Sequence, residues 1–180
     1  MQRIRPVEPS EAEGRTKKLL EQAGASLGNA PNMIGALATS PAALEGYLTL
    51  NDALNGGELT AIFREKIALA VAQANACEYC LSSRSATAKQ AGLTVSEIAA
   101  SRESHSSDPK SDAGLKFTQQ IVVQRGEVSD AAFDAVREAG FTDGDISEII
   151  ANVALNIFAN YFNHVTQTAI DSPPVSVELE

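Results

Sequence analysis

"LTAIFREKIALAVAQANACEYCLSSRSATAKQAGL", residues 59–93, decides how this chain folds. After Arg64 its first half is apolar on nearly every side, which predicts a buried central helix over 59–76. The second half carries both cysteines of the chain, Cys77 and Cys80, and continues as helix to Gly92, a plausible stop. Arg84 stands one helical turn after Cys80. Helix on both sides of a Cys-x-x-Cys pair argues against a thioredoxin-like fold, in which the pair belongs to a βαβ unit.

The same punctuation extends in both directions. Upstream, 40–57 reads as a helix with Ser40 as cap, Pro41 at the first helical position and a glycine pair as the stop. Residues 31–40 read as a short helix with proline in the first turn, and 10–24 as another, capped by Ser10 with Glu13 three residues on. Residues 1–10, with Pro6 and Pro9, read as extended. Downstream, Thr94 and Glu97 open a short helix over 94–104, and a polar connector follows over 105–112. Two helices ending at Gly126 and Gly140 come next, then a long one over 142–170. The tail 171–180 is polar and proline-containing, a loose or docked extension. With no alternating strand pattern and no repeat, the class is all-α, one domain over 1–180 built from helical hairpins, with 59–93 as its core.

Composition narrows the functions. At 180 residues and 44% hydrophobic, the chain can bury one core. It lacks tryptophan and is rich in alanine, so its helices can approach closely in thin layers. Such layers leave apolar faces to cover, which implies a homo-oligomer. A formal net charge of −9 argues against nucleic acid as a partner and against a polybasic membrane anchor. No apolar run is long enough to span a bilayer, and the start has no apolar core like that of a secretory signal. The expected location is cytoplasmic. In a reducing compartment, paired cysteines are read as catalytic or metal-binding before structural. No glycine-rich phosphate loop is present, and nothing points to haem, flavin or nucleotide; Asn55–Gly57 is a helix stop.

The cysteine spacing has a chemical rationale. A thiol must be ionised to attack a peroxide or a disulfide, and a helix N-terminus favours the anion. A second thiol one turn away can then close a disulfide. Zinc would need two more ligands, and His105 and His164 lie far apart in no ligand spacing, so no metal is expected. Two inert core cysteines remain an open reading of the spacing alone. A structural disulfide across so short a loop would stabilise little.

Residues 64–93 resemble the core motif of the alkyl hydroperoxidase D and carboxymuconolactone decarboxylase superfamily: a glutamate, a CxxC twelve residues on, and a histidine four after the second cysteine. Glu65, Cys77 and Cys80 match in identity and spacing. Residues 31–48 and 156–171 resemble the peroxidase-related branch. The resemblance implies an all-helical fold of helical hairpins assembled in a homo-oligomer. It implies that Cys80 attacks the peroxide, that Cys77 resolves the sulfenic acid as a disulfide, and that Glu65 starts the proton relay. Arg84 departs from the pattern, standing where the family has histidine. A guanidinium can favour a thiolate but cannot take and return a proton near neutral pH. The expected arrangement is that Arg84 holds Cys80 as thiolate and orients Glu65 or an anionic partner, with protons moving through Glu65 and water and Tyr79 as a further candidate. The bland alternative has Arg84 solvated or paired with a surface carboxylate, and Glu65 in a solvated charged trio with Arg64 and Lys66.

On the last helix Asn152, Asn156 and Asn160 recur every four residues, extended by Asn163 and His164. Asparagine is unfavourable inside helices, so such a row needs partners. Hydrogen bonds between helices or subunits are the plainer expectation. A sharper one puts His164 near the cysteines as a substitute proton carrier. His105, in a polar connector, is read as solvated.

Together these features point to a thiol-dependent peroxidase that reduces an organic or hydrogen peroxide with no cofactor beyond the Cys77–Cys80 pair. A dithiol or disulfide reductant partner would restore it. The alternatives are a disulfide oxidoreductase with little peroxidase activity, a redox-sensing protein, and a lactone-acid decarboxylase. The last has no use for a cysteine pair.

Overall fold

Among the described residues nine helices follow one another: α1 (Gly14–Leu27), α2 (Asn32–Leu37), α3 (Pro41–Asn55), α4 (Ala61–Ala74), α5 (Glu78–Gln90), α6 (Val95–Arg102), α7 (Pro109–Val123), α8 (Asp130–Glu138) and α9 (Asp143–Thr166). The computed structural model describes residues 2–27 and 31–179, and no strand occurs among them. The all-α class read from the sequence holds.

α4 is central, as its apolar circumference requires. It packs against α5, α6, α7 and α9, and every residue from Lys66 to Ala72 is buried. Ile67, Leu69 and Val71 are fully enclosed. Truncating any of these to alanine would cost about 2–4 kcal/mol in lost transfer energy and residual cavity. On one side of α4, α1, α2, α3 and α5 build a core around Leu37, Leu44, Leu48 and Leu81. On the other, α7, α8 and the first half of α9 pack Leu115, Val136, Ile149 and Val153 against Phe63 and Ile67.

Caps set most boundaries where the sequence puts them. Ser40, Thr60, Thr94, Ser129 and Thr142 each accept a backbone N–H in the first turn of the helix that follows. Thr94 with Glu97 forms a full capping box.

Several boundaries differ from expectation, each for a local reason. α1 starts at Gly14 rather than Ser10, because Glu11 N–H donates to Glu8 O (2.9 Å) and closes a separate turn. Gly14 then takes φ +54°, which glycine adopts freely. Pro31 is the N-cap of α2 and not its first helical residue. α7 begins at Pro109, inside the expected connector, because Asp108 caps it by accepting Ser111 N–H at 2.8 Å. α9 stops at Thr166, four residues short of 170, where Gln167 turns left-handed at φ +51°.

The most consequential difference lies between α4 and α5. Helix does not run on through the cysteines. Asn75 ends α4, Ala76 takes φ +52°, and Cys77 returns to extended backbone as the N-cap of α5. Cys77 N–H donates to Ala72 O (2.9 Å) and Ala76 N–H to Gln73 O (3.0 Å), the paired bonds of a Schellman turn. An alanine in the usual glycine position costs about 1–2 kcal/mol. The turn places both cysteines in the first turn of a fresh helix.

The tail is docked. Val175 N–H donates to Ser82 Oγ (2.9 Å), and Arg102 and Gln73 donate to the carbonyls of Ser176 and Val177 at 2.7 and 2.8 Å. Among the described residues no helix is long and apolar enough to cross a membrane.

Candidate active site

Cys77 and Cys80 are joined as a disulfide, with Cα atoms 5.3 Å apart. Cys77 Sγ caps α5 by accepting Cys80 N–H at 3.3 Å. Both lie in the first turn, where the helix dipole favours an anion. They are enclosed, 2% and 7% exposed, so chemistry there depends on cavities that reach them.

One such cavity is a cleft of about 220 Å³ between α3, α4, α5 and α9. Its wall holds Cys80, Glu65, Arg84 and three asparagines of α9: Asn156, Asn160 and Asn163. α5 aligns Cys80 and Arg84 by their four-residue spacing. α4 brings Glu65 from across the hairpin, and Arg84 Nη1 donates to Glu65 Oε1 at 3.1 Å. The bland expectation for both residues therefore fails: each is partly buried, and each pairs with the other. The Glu65 carboxylate raises the Arg84 pKa further above its ordinary value, outweighing the opposing effect of burial, so the guanidinium stays charged. Lys66 is also withdrawn from solvent, its Nζ 3.2 Å from Ser106 Oγ. The charged trio is tethered, Arg64 to Leu59 O, Glu65 to Arg84 and Lys66 to Ser106, and is not a solvated helix start.

Glu65 Oε2 is buried and has no hydrogen-bond partner among the described residues. Asn163 Oδ1 is in the same condition, while Asn163 Nδ2 lies 3.4 Å from Cys80 Sγ and 3.2 Å from Met33 Sδ. The cleft thus presents a sulfur, a fixed cation and two open acceptors.

The asparagine row divides its work. Asn160 meets the plainer expectation of a bond between helices: Asn75 Nδ2 donates to its Oδ1 at 3.0 Å. Asn152 and Asn156 instead donate to carbonyls of their own helix, Glu148 O and Asn152 O, both at 2.8 Å. Asn163 turns to the cysteine.

His164 does not join Cys80. Its ring is exposed and its Nε2 donates to Asn75 O at 2.9 Å, clamping the turn that presents the cysteines. It lines a second cavity, of about 310 Å³, on the Cys77 side. Tyr79 lines the cleft, but its hydroxyl is engaged elsewhere. Its hydroxyl accepts Met33 N–H and donates to Asp171 Oδ2, both at 3.2 Å. Burial pushes its pKa well above the usual phenol range, so it keeps its proton and ties α2 and the tail to α5. His105 pairs at the surface with Asp112, 3.2 Å away. No cluster of residues fit to hold a metal ion occurs among the described residues.

Tyr47, Asn51 and Asn55 of α3 complete the cleft wall and were not read from the sequence. Their spacing of four was the available signal: a polar row on one face of α3, lining the same cleft as the row on α9.

The family model for the carboxymuconolactone decarboxylase family matches residues 41–120, which hold the whole Glu65–Cys77–Cys80–Arg84 set. No curated protein matches the sequence significantly. Among solved structures, a peroxidase-related protein from Ralstonia eutropha JMP134, described as an alkylhydroperoxidase AhpD core, is similar at 26% identity. The likeness covers 94% of this chain and 92% of that one, with a TM-score of 0.82. A peroxidase-related protein from Silicibacter sp. TM1040 is 25% identical over 89% of this chain and 84% of its own, with a TM-score of 0.76. The debrominase Bmp8, solved with 2,3,4-tribromopyrrole, has a TM-score of 0.81 at 20% identity over 93% and 91% of the chains. That last likeness concerns the fold alone.

Proposed function

The chain belongs to the alkylhydroperoxidase D and carboxymuconolactone decarboxylase superfamily, and from that premise we propose that it is a thiol-dependent peroxidase working through Cys77 and Cys80. The observation that carries this is the cleft in which Cys80, the Glu65–Arg84 pair and the Asn163 amide share one wall. In the reduced protein the Cys80 thiolate attacks the peroxide. The O–O bond breaks, the sulfur keeps one oxygen as sulfenic acid, and the alkoxide takes a proton to leave as alcohol. Cys77 then attacks the sulfenic sulfur, forming the disulfide and releasing water. A dithiol returns two electrons and two protons.

Arg84 and the Asn163 amide favour the thiolate by charge and hydrogen bonding. Glu65 Oε2, buried and unpaired, is the acceptor left for a proton or a peroxide O–H. The test is steady-state consumption of cumene hydroperoxide driven by dithiothreitol. Turnover that vanishes in Cys80→Ser and falls in Cys77→Ser, where only direct reduction of the sulfenic acid by dithiothreitol remains, supports the proposal. Equal consumption by both variants and the parent would refute it.

A second reading, disulfide exchange with little peroxidase activity, is favoured by Arg84 itself, which stays charged where a proton carrier would be expected. Under it, the same variants would lose thiol–disulfide exchange while the parent consumes peroxide no faster than free dithiothreitol.

Self-association belongs to the proposal as well. On α9, Ile150, Ala154, Phe158, Tyr161 and Val165 form an exposed apolar stripe, two residues out of step with the buried asparagine row and so on the opposite face. Light scattering on the parent and on Phe158→Glu/Val165→Glu tests it: a multimer reduced to monomer supports this face as the interface, and a monomeric parent excludes it.

A further inference from the structure

We propose that the two sulfurs of the cystine are served by separate mouths, and that the reducing dithiol binds in the second cavity and attacks Cys77. This rests on the redox role of the pair proposed above. The cleft that holds Glu65 and Arg84 includes Cys80 in its wall and not Cys77. The second cavity includes Cys77 and not Cys80, with Glu78, His164, Ile170 and Val177 around it. Tyr79 and Asn163 stand between the two and line both. Tyr79 is held by Met33 and Asp171. Asn163 is held by its contacts to Met33 and Cys80. The partition is therefore built from anchored side chains.

The leaving-group chemistry agrees with this geometry. In thiol–disulfide exchange the sulfur better stabilised as thiolate leaves faster. Both sulfurs lie in the first turn of α5, and Cys77 Sγ accepts one backbone N–H. Cys80 has the Asn163 amide at 3.4 Å and shares its face of α5 with the Arg84 cation. A thiolate of the dithiol, entering past Ile170, attacks Cys77 Sγ. The S–S bond breaks and its electron pair goes to Cys80. The second thiol of the reductant, deprotonated in turn, attacks the reductant's own sulfur in the mixed disulfide. A cyclic disulfide leaves, and the pair on that bond goes to Cys77. The protein gains two electrons, and the two protons lost by the dithiol pass to the cysteines or to solvent. His164, whose Nε2–H is engaged by Asn75 O, keeps Nδ1 as an acceptor at this mouth for the incoming thiol proton.

Slim reductants reach a cysteine that is 2% exposed, whereas a rigid partner lying flush on the surface does not. The class of ligand is thus a flexible alkyl dithiol, and dithiothreitol is the probe.

The experiment uses the full chain oxidised with diamide, so that the disulfide forms whether or not the protein reacts with peroxides. First, a pulse of 2-mercaptoethanol followed by iodoacetamide and fragment mass spectrometry locates the adduct. Mercaptoethanol on Cys77 with carbamidomethyl on Cys80 is expected; the reverse pattern would overturn the assignment. Second, Ile170→Trp, at an exposed position of the second mouth, is expected to slow reduction by dithiothreitol at least ~10-fold, since exchange depends on access. Thr87→Trp, at the exposed rim of the cleft, is expected to leave reduction within about twofold of the parent. Equal slowing by both variants, or slowing by Thr87→Trp alone, would show that one mouth serves both sulfurs. If peroxide fails to oxidise the parent while these reduction results hold, the peroxidase reading falls and the two-mouth assignment stands.

Discussion

Arg84 Nη1 lies 3.1 Å from Glu65 Oε1, and this one contact joins α5 to α4 across the wall of the cleft that holds Cys80. It puts a permanent cation where a titrating imidazole would serve a relay, and it fixes the carboxylate that a relay would use. The pair is partly buried, with 24% and 16% of the side chains exposed.

Breaking that pair from one side should destabilise the fold. Arg84→Met leaves Glu65 without its partner in a partly desolvated site. The expected loss is roughly 2–3 kcal/mol, below the ~3–5 kcal/mol of a fully buried pair because water still reaches both groups. Glu65→Gln/Arg84→Met should cost clearly less than the sum of the two single changes. Urea unfolding of all four proteins checks this; additivity would mean that the contact contributes nothing.

Replacing Arg84 by histidine should help the chemistry while weakening the pair. A positioned general acid–base group is worth about 10²–10⁴-fold in favourable cases. Arg84→His should therefore raise the peroxide-dependent rate by one order of magnitude or more near neutral pH, with a new pH dependence around the imidazole pKa. An unchanged rate and a flat profile would show that position 84 does not lie on the proton path.

Gly114 carries a packing constraint that propensity alone would misjudge. In a helix, alanine is favoured over glycine by about 0.8–1 kcal/mol. A Cβ here, however, would lie 2.5 Å from Phe63 Cζ and 2.8 Å from Phe141 Cζ, a ring pair whose centroids are 5.4 Å apart. Forcing these rings apart costs about 1–3 kcal/mol. Gly114→Ala should thus lower the midpoint of thermal unfolding; an unchanged or raised midpoint would show that the rings yield freely.

Most of α3, α4, α6 and α8 was legible in the sequence: Ser40 and Thr94 are local cap signals, α4 shows in its apolar circumference and α8 in its glycine stop. The turn at Ala76 was not, since the bonds that create it run to Ala72 and Gln73 and use an alanine where glycine is the usual mark. Glu65, Cys77 and Cys80 were legible from their spacing. That Arg84 pairs with Glu65 required knowing how α4 and α5 face each other. His164 is placed by the same reasoning: the asparagine row gives the face of α9, and position along the helix decides that Asn163 meets Cys80 while His164 meets the turn on the Cys77 side.

Acid should remove one surface contribution in a defined window. Asp112 is held down to about 2, by Lys116 first, then by the Ser106 N–H and His105. A carboxyl with a lowered folded-state pKa stabilises the protein above its unfolded value, ordinarily 3.8, and that stability is lost as pH falls through about 2. Asp112→Asn should be less stable than the parent at pH 7, and the difference should shrink between pH 4 and pH 2. A difference that persists at pH 2 would assign the effect to packing instead.

The most direct measurement is a thiol count in a single turnover. The protein is reduced, freed of reductant, mixed with a small excess of cumene hydroperoxide and sampled with a thiol reagent, beside Cys80→Ser and Cys77→Ser. The expected result is rapid loss of two thiols per chain in the parent, no loss in Cys80→Ser, and loss of one thiol, as a sulfenic acid trapped by dimedone, in Cys77→Ser. Thiols that stay free for hours in the parent, or rapid loss in Cys80→Ser, would contradict a peroxidase centred on Cys80.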